Sequence, residues 1–460
     1  MKSVSGFHAF NPAAFNHSTL PHSASSEQFL SAARLTRMEA RAMPRLLFLL
    51  LLSASAVLAA QTTSVPTALP SEPFLIENTW FIGGVGDWDY LAIDPQADRL
   101  YIAHATAVQV VDVETGALVG EIDGFGNTRD IALNPSGGYG YVSDGARAQV
   151  AVFDRETLQK VALIPTDPDP HALVFDPETG LLFAVCARPA AAPAGAGRGH
   201  AGAQSPPARF YDVSSLTVID PATHTVLGRI LLPGTLGFAR GAGNGQVFID
   251  VTDRNAILRI DAQSVETLLH SAAGDGTTTG TAGAAEKDSG NPANWPTLDW
   301  TGSRRSGVAE GGFRLFSLGT ACASPTGLAV DGADMRLFAT CGNMAMVVVN
   351  ADTGDMVTEL PVGPGADAVA YDPNRGHIFV ANGGGDGSLT IVRRDVTDTY
   401  AVVQTLPTRR QARTLAVDPE SGDVFLVTDY VGVDRNHPGG IGALKMIPVQ
   451  GSFQVLEIGN

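Results

Sequence analysis

Seven positions spread over most of a 460-residue chain occupy the same place in a recurring phrase. Counting five residues back from the acidic or amide residue that ends each copy gives Asp89, Arg129, His171, Gly237, Thr326, Asp367 and Arg413. Six of them carry hydrogen-bonding side chains, although the strands that follow are apolar. Two carboxylates, two guanidiniums, an imidazole and a hydroxyl turned toward one opening would form a polar ligand-binding funnel. The same groups could equally tie neighbouring strands, Asp89 with Arg129 and Asp367 with Arg413, in ion pairs that are individually weak. His171 is the candidate for acid–base chemistry, because an imidazole titrates near neutral pH. A metal there would rest on Asp89 and Asp367 alone, and no Cys/His zinc spacing occurs anywhere, so no cofactor or metal is expected.

For these residues to meet, the phrase that carries them must be a structural unit. The copies end at Asp94, Asn134, Asp176, Asp331, Asp372 and Asp418, with a degraded copy aligned at Ala242. Each opens with an apolar strand such as "YLAID" or "TLAVD", followed by a Gly/Pro/Asp turn and a β-branched or aromatic strand such as "RLYIAHA" or "VFLVTDY". A hairpin of period-two alternation follows, as in "VQVVDVETGALVGEI". Four strands in a period of about 40 to 45 residues make a propeller blade, whereas helical solenoids would show a 3.6 period. A lone four-stranded sheet cannot cover both its faces, and radial closure buries them and leaves only short edges.

The expected fold is therefore all-β, a seven-bladed propeller of four-stranded antiparallel blades over residues 74–460. Innermost strands are apolar because they crowd the axis, and outer strands carry the polar residues. One terminus, "FLIENTWFIGG" or "SFQVLEIG", is expected to close the ring. Two insertions interrupt the rhythm: residues 188–211 between the second and third strands of blade three, and residues 271–311 in the outer part of blade four. Both are poor in apolar residues and read as surface loops, apart from Trp295 and Trp300, which offer the second a means of docking.

Ahead of the propeller, Arg37, Arg41 and Arg45 precede the apolar run "LLFLLLLSASAVLAA", which stops at small residues. That is the pattern of a secretory signal peptide within residues 1–60, followed by a linker at 61–73, and the run is too short to be a membrane span. A periplasmic or secreted monomer with no transmembrane segment in the mature chain is expected. The formal net charge of −17 repels nucleic acid at long range, so a small molecule or a protein at the channel mouth is the expected partner. Cys322 precedes the inner strand of blade five and Cys341 ends its antiparallel neighbour, so the two share an edge. They either form a disulfide or are two small buried residues, with Cys186 left as an odd thiol. Asp331, Asp372 and Asp418 read as turn residues, and "GGGDG" at 383–387 as a turn or bulge rather than a phosphate loop.

The phrases "WDYLAIDPQADRLYIAHATAVQVVD", "SPTGLAVDGADMRLFATCGN" and "GADAVAYDPNRGHIFVANGGGDGSLTIV" resemble the YncE-like family of exported YVTN β-propellers. The resemblance implies an extracytoplasmic seven-bladed propeller of largely unassigned activity. It also implies a carboxylate in blade four, where this chain has Gly237 and so lacks an acid from that blade. More distant propellers of this kind include a dihydro-haem dehydrogenase and seven-bladed lactonases. The reading favoured is a binding module; the alternative is a propeller enzyme, an oxidoreductase or lactone hydrolase, with His171 and the nearby arginines acting on the substrate. No Gly-x-Ser-x-Gly elbow or dinucleotide fingerprint supports the enzyme.

Overall fold

In a computed structural model of the chain, the described residues are 72–187, 213–274, 308–309, 312–396, 398–434 and 445–460. The signal-peptide region, insertion 188–211, Trp295 and Trp300 lie outside them.

Seven antiparallel sheets stand around a central axis. Their innermost strands are Trp88–Asp94, Thr128–Leu133, Pro170–Phe175, Leu236–Gly241, Pro325–Asp331, Ala366–Asp372 and Thr414–Val417, and each touches the next in a closed ring. The chain is a seven-bladed β-propeller. Burial follows the expected gradient: second strands such as Leu182–Cys186 are buried throughout, whereas outermost strands such as Leu118–Asp123 are largely exposed.

Packing between blades rests on one aromatic column. The second strands contribute Tyr101, Tyr141, Phe183, Phe248, Phe338, Phe379 and Phe425, each at most 1% exposed. In five blades that ring is paired across the ladder with an inner-strand alanine, as Ala329 with Phe338 or Ala370 with Phe379. Burying one such ring is worth about 2–3 kcal/mol, and the small partner opposite leaves room for it.

Both termini close the ring. The strand Gln454–Gly459 is the third of blade seven, and Leu75–Phe81 pairs outside it as the fourth, Leu75 opposite Gly459. Cys322 and Cys341 form a disulfide, while Cys186 is a free buried thiol whose pKa burial pushes up to about 12. The turn-residue reading holds: Asp372 accepts from the Asn374 amide and Asp418 from the Glu420 amide, both at 2.8–2.9 Å. The glycine run 383–387 is the turn between His377–Asn382 and Ser388–Arg394. Gly387 has φ of +89°, and a side chain there would collide with the Arg409 carbonyl.

Three features depart from plain repetition. A helix, Ala262–Gly274, runs into the first residues of the second insertion (271–311), which is therefore not loop throughout, and its first turn is capped by Asp261 accepting the Ser264 amide at 2.8 Å. Leu269 of this helix lies over Gly228, where a β-carbon would come within 2.6 Å of it. Blade four also gains a short fifth strand, Val308–Ala309, and blade seven carries an extra hairpin, Val431–Asp434 with Lys445–Pro448. No described helix is long and apolar enough to cross a membrane.

Candidate functional site

A local irregularity explains why polar residues can begin apolar strands. In six blades the pairing of the first two strands slips near its start. Asp89 and Tyr90 together face Ala103, Arg129 and Asp130 face Ser143, and Asp367 and Ala368 face Ala381. His171 and Thr326 are the unpaired residues of shorter slips, and in blade four Gly237 and Phe238 face Asp250. Such bulges bend the strand and re-aim a side chain. All seven column residues are half-buried.

Most of the column is occupied in tying blades together. Arg129 donates to Asp89 at 3.2 Å and stands 3.6 Å from Asp169. Arg413 lies 3.8 Å from Asp367, donates to Asp87 at 3.0 Å and to the Trp88 carbonyl at 2.6 Å, and sits over the Trp88 ring. Asp367, Arg413, Asp89 and Arg129 thus alternate in sign over four consecutive blades. Thr326 donates to the Ala366 carbonyl at 3.0 Å, a tie from blade five to blade six. His171 spans blades three and four: Nδ1 lies 3.2 Å from the Asp169 carbonyl and Nε2 3.1 Å from the Gly237 carbonyl. Neither ring nitrogen is left facing the opening.

Blade four does supply a carboxyl, contrary to what Gly237 implies, and it comes from the second strand. Asp250 is 0% exposed, and neither carboxyl oxygen has a hydrogen-bond partner. Its β-carbon is 3.3 Å from where a side chain on Gly237 would begin. Burial drives its pKa well above the usual carboxylate range, and the Asp367 charge adds to the rise. Asp429, 5% exposed, likewise has no partner in good geometry for either oxygen; burial raises its pKa, as does Asp87, against the pull of its own backbone amide and of Arg413. Burial lifts Asp89 to about 7 despite Arg129 and Arg413, and Asp367 to about 6 despite Arg413. Six carboxyls (Asp87, Asp89, Asp169, Asp250, Asp367 and Asp429) thus share the mouth with Arg129 and Arg413, while Asp130 and Arg240 are buried as an interacting pair.

An aromatic pair forms the floor. Tyr90 from blade one stacks on Phe238 from blade four at 3.9 Å between centroids, and its hydroxyl reaches the Thr326 carbonyl of blade five at 3.5 Å. The Arg240 guanidinium lies 3.9 Å from the centre of the Phe238 ring. The pair crosses the channel, and beyond it a cavity of about 240 Å³ is lined by Leu91, Ile93, Arg240, Val330, Tyr371 and Val417. Asp250, Asp429 and the Tyr90–Phe238 pair are additions to the residues picked out by spacing. The available signal for Asp250 was a lone carboxylate inside the otherwise apolar "QVFIDV". Among the described residues, no three His, Cys, Asp or Glu side chains converge closely enough to hold a metal ion.

No family model matches the chain, and no curated protein matches it. Solved structures do. A chain in the crystal structure of the mitotic checkpoint complex is similar with a TM-score of 0.54 and 13% identity, over 86% of this chain and 100% of that one. U3-55K matches at a TM-score of 0.53 and 9% identity over 80% of this chain and 94% of its own. The WD40 repeats of RRP9 match at 0.53 and 9% over 81% and 94%. At such identities the likeness concerns the fold, a seven-bladed propeller with WD40-like neighbours.

Proposed function

We propose that this chain is an exported propeller of the YVTN type that works as a binding module and takes its ligand at the polar funnel. The observation that carries this reading is the pair of buried carboxyls, Asp250 and Asp429, left without partners in good geometry beside a ring of ion pairs. An unsatisfied buried carboxyl costs stability, and a rigid closed scaffold that keeps two of them on one side of a channel fits a site completed by something else. Export is supported by the signal-peptide pattern and by the Cys322–Cys341 disulfide, which persists in oxidising compartments. Catalysis is not part of the proposal: both ring nitrogens of His171, the acid–base candidate, lie against backbone carbonyls, to one of which a neutral imidazole can donate.

Mass spectrometry of protein recovered from periplasm or culture medium tests it, run beside an Asp250→Asn, Asp367→Asn variant. A co-purifying small molecule or protein that the variant loses supports the funnel. Undiminished retention by the variant would remove the funnel from the reading.

A further inference from the structure

The funnel's composition says what kind of ligand it takes, an inference that rests on the binding reading above. Its six carboxyls outnumber its two guanidiniums, and both guanidiniums already lean on carboxylates: Arg129 on Asp89 and Asp169, Arg413 on Asp87 and Asp367. Arg129 Nε is left as a buried donor without a partner, so an anion would meet one such donor among six carboxyls. Asp367 is held loosely, 3.8 Å from Arg413, and keeps 33% of its side chain in water, so it is open to a further partner. Asp250 is sealed and unpartnered behind Gly237, where the missing side chain leaves the approach narrowest in protein atoms. Beneath lies the Tyr90–Phe238 stack; Phe238 is already covered by Tyr90 on one face and by the Arg240 guanidinium, which leaves Tyr90 as the aromatic surface for a desolvated cation. A metal ion is a poor match, since no three ligating side chains converge among the described residues.

We propose that the ligand is an organic cation, an ammonium or guanidinium group that settles between Asp250 and Asp367 above the Tyr90–Phe238 pair. Its charge supplies the partner that Asp250 lacks, and its hydrogens suit the carboxylate geometry of Asp367. Tyr90 carries the apolar stem. Asp429, near Asp87 and Arg413, gives a second anchor for a ligand with cationic groups at both ends.

Calorimetric titration and thermal melts of the purified protein with four probes decide the matter: agmatine and cadaverine as cations, glutarate as an anion and maltose as a neutral compound. Agmatine or cadaverine is expected to bind and raise the melting temperature, with glutarate inert. Asp250→Asn and Asp367→Asn are each expected to weaken the cation at least tenfold, and both substitutions preserve shape, with circular dichroism checking the fold of each. Absence of cation binding, or equal affinity in both variants, overturns the proposal. If glutarate or maltose binds instead and Asp367→Asn or Arg413→Gln abolishes it, the cation class falls while the funnel stands. If a probe binds and no funnel substitution alters it, both the cation and the funnel reading fall.

Discussion

Holding Asp89 and Asp367 in a partly dried funnel makes the ligand-free protein less stable as the solution becomes more alkaline, in a way that can be measured. A carboxyl whose pKa rises on folding binds its proton more tightly in the native state. Its contribution is complete below the unfolded pKa, near 4, and is lost as pH climbs through the folded value. The window here runs from about pH 4 to pH 7, with Asp367 at about 6 and Asp89 at about 7. Without screening, the two shifts amount to roughly 4 kcal/mol between pH 5 and pH 8. Asp89 and Asp367 keep 22% and 33% of their side chains in water, so screening brings the expected loss to about 2 kcal/mol. The cations facing them are Arg129 and Arg413, each of which retains a second carboxylate, Asp169 or Asp87, when Asp89 and Asp367 become asparagine; Asp250 and Tyr90, which the Asp367 charge pushes up, are relieved by the same change, so the comparison reads the cluster as a unit. His104 and His377, whose pKa values burial lowers, push in the opposite direction, gaining stability as pH rises, and are untouched by that change. Urea unfolding at pH 5 and pH 8 of the parent and of the Asp89→Asn, Asp367→Asn variant isolates the effect. A parent that loses no more stability than the variant over this interval refutes the reasoning.

Other consequences follow from the same structure. Reducing the Cys322–Cys341 bond, which joins residues 19 apart, is expected to cost about 3 kcal/mol, read as a lower urea midpoint in dithiothreitol; an unchanged midpoint would count against it. Cys186 should resist a thiol reagent in the native protein and react on unfolding, because burial holds it as the thiol. Phe338→Ala, at a fully buried ring facing Ala329, is expected to cost about 3–5 kcal/mol by chemical unfolding, against less than about 0.5 kcal/mol for the exposed Val396→Ala. Asp250→Asn should raise the melting temperature at pH 8, because burial opposes ionisation of this unpartnered carboxyl in the folded protein while the unfolded chain ionises freely, and a lower temperature would contradict the burial argument.

Repetition made the architecture legible. A turn residue every 40-odd positions, with an aromatic in each second strand, dictates both blade number and the packing column. The funnel residues were legible for the same reason, since counting back from the turn lands on the bulge in six blades and, in blade seven, on Arg413 just ahead of the strand. What counting along one strand cannot reveal is the residue across the ladder, and that is where Asp250 comes from. Blade four was hardest to read because its inner strand breaks the pattern twice, with Gly237 in the polar column and Arg240 where five blades have alanine. Tyr90 and Phe238 each look like ordinary inner-strand residues; only closure brings blades one and four within stacking distance. The helix Ala262–Gly274 hid behind the all-β rhythm, although the Leu268–Leu269 pair and the Asp261 cap were there to be weighed.

Because the outermost strand of blade seven is built from residues 75–81 and its neighbour from residues 454–459, the first part of the propeller to be synthesised waits for the last. Until the final residues arrive, an edge bearing Leu75, Ile76 and Phe81 has no partner on the ribosome or beyond it, and would invite pairing with other chains. The same geometry sets the two ends of the propeller, Leu75 and Gly459, side by side, so joining them with a short linker and cutting the chain between two other blades would relocate that vulnerable moment without redrawing the ring.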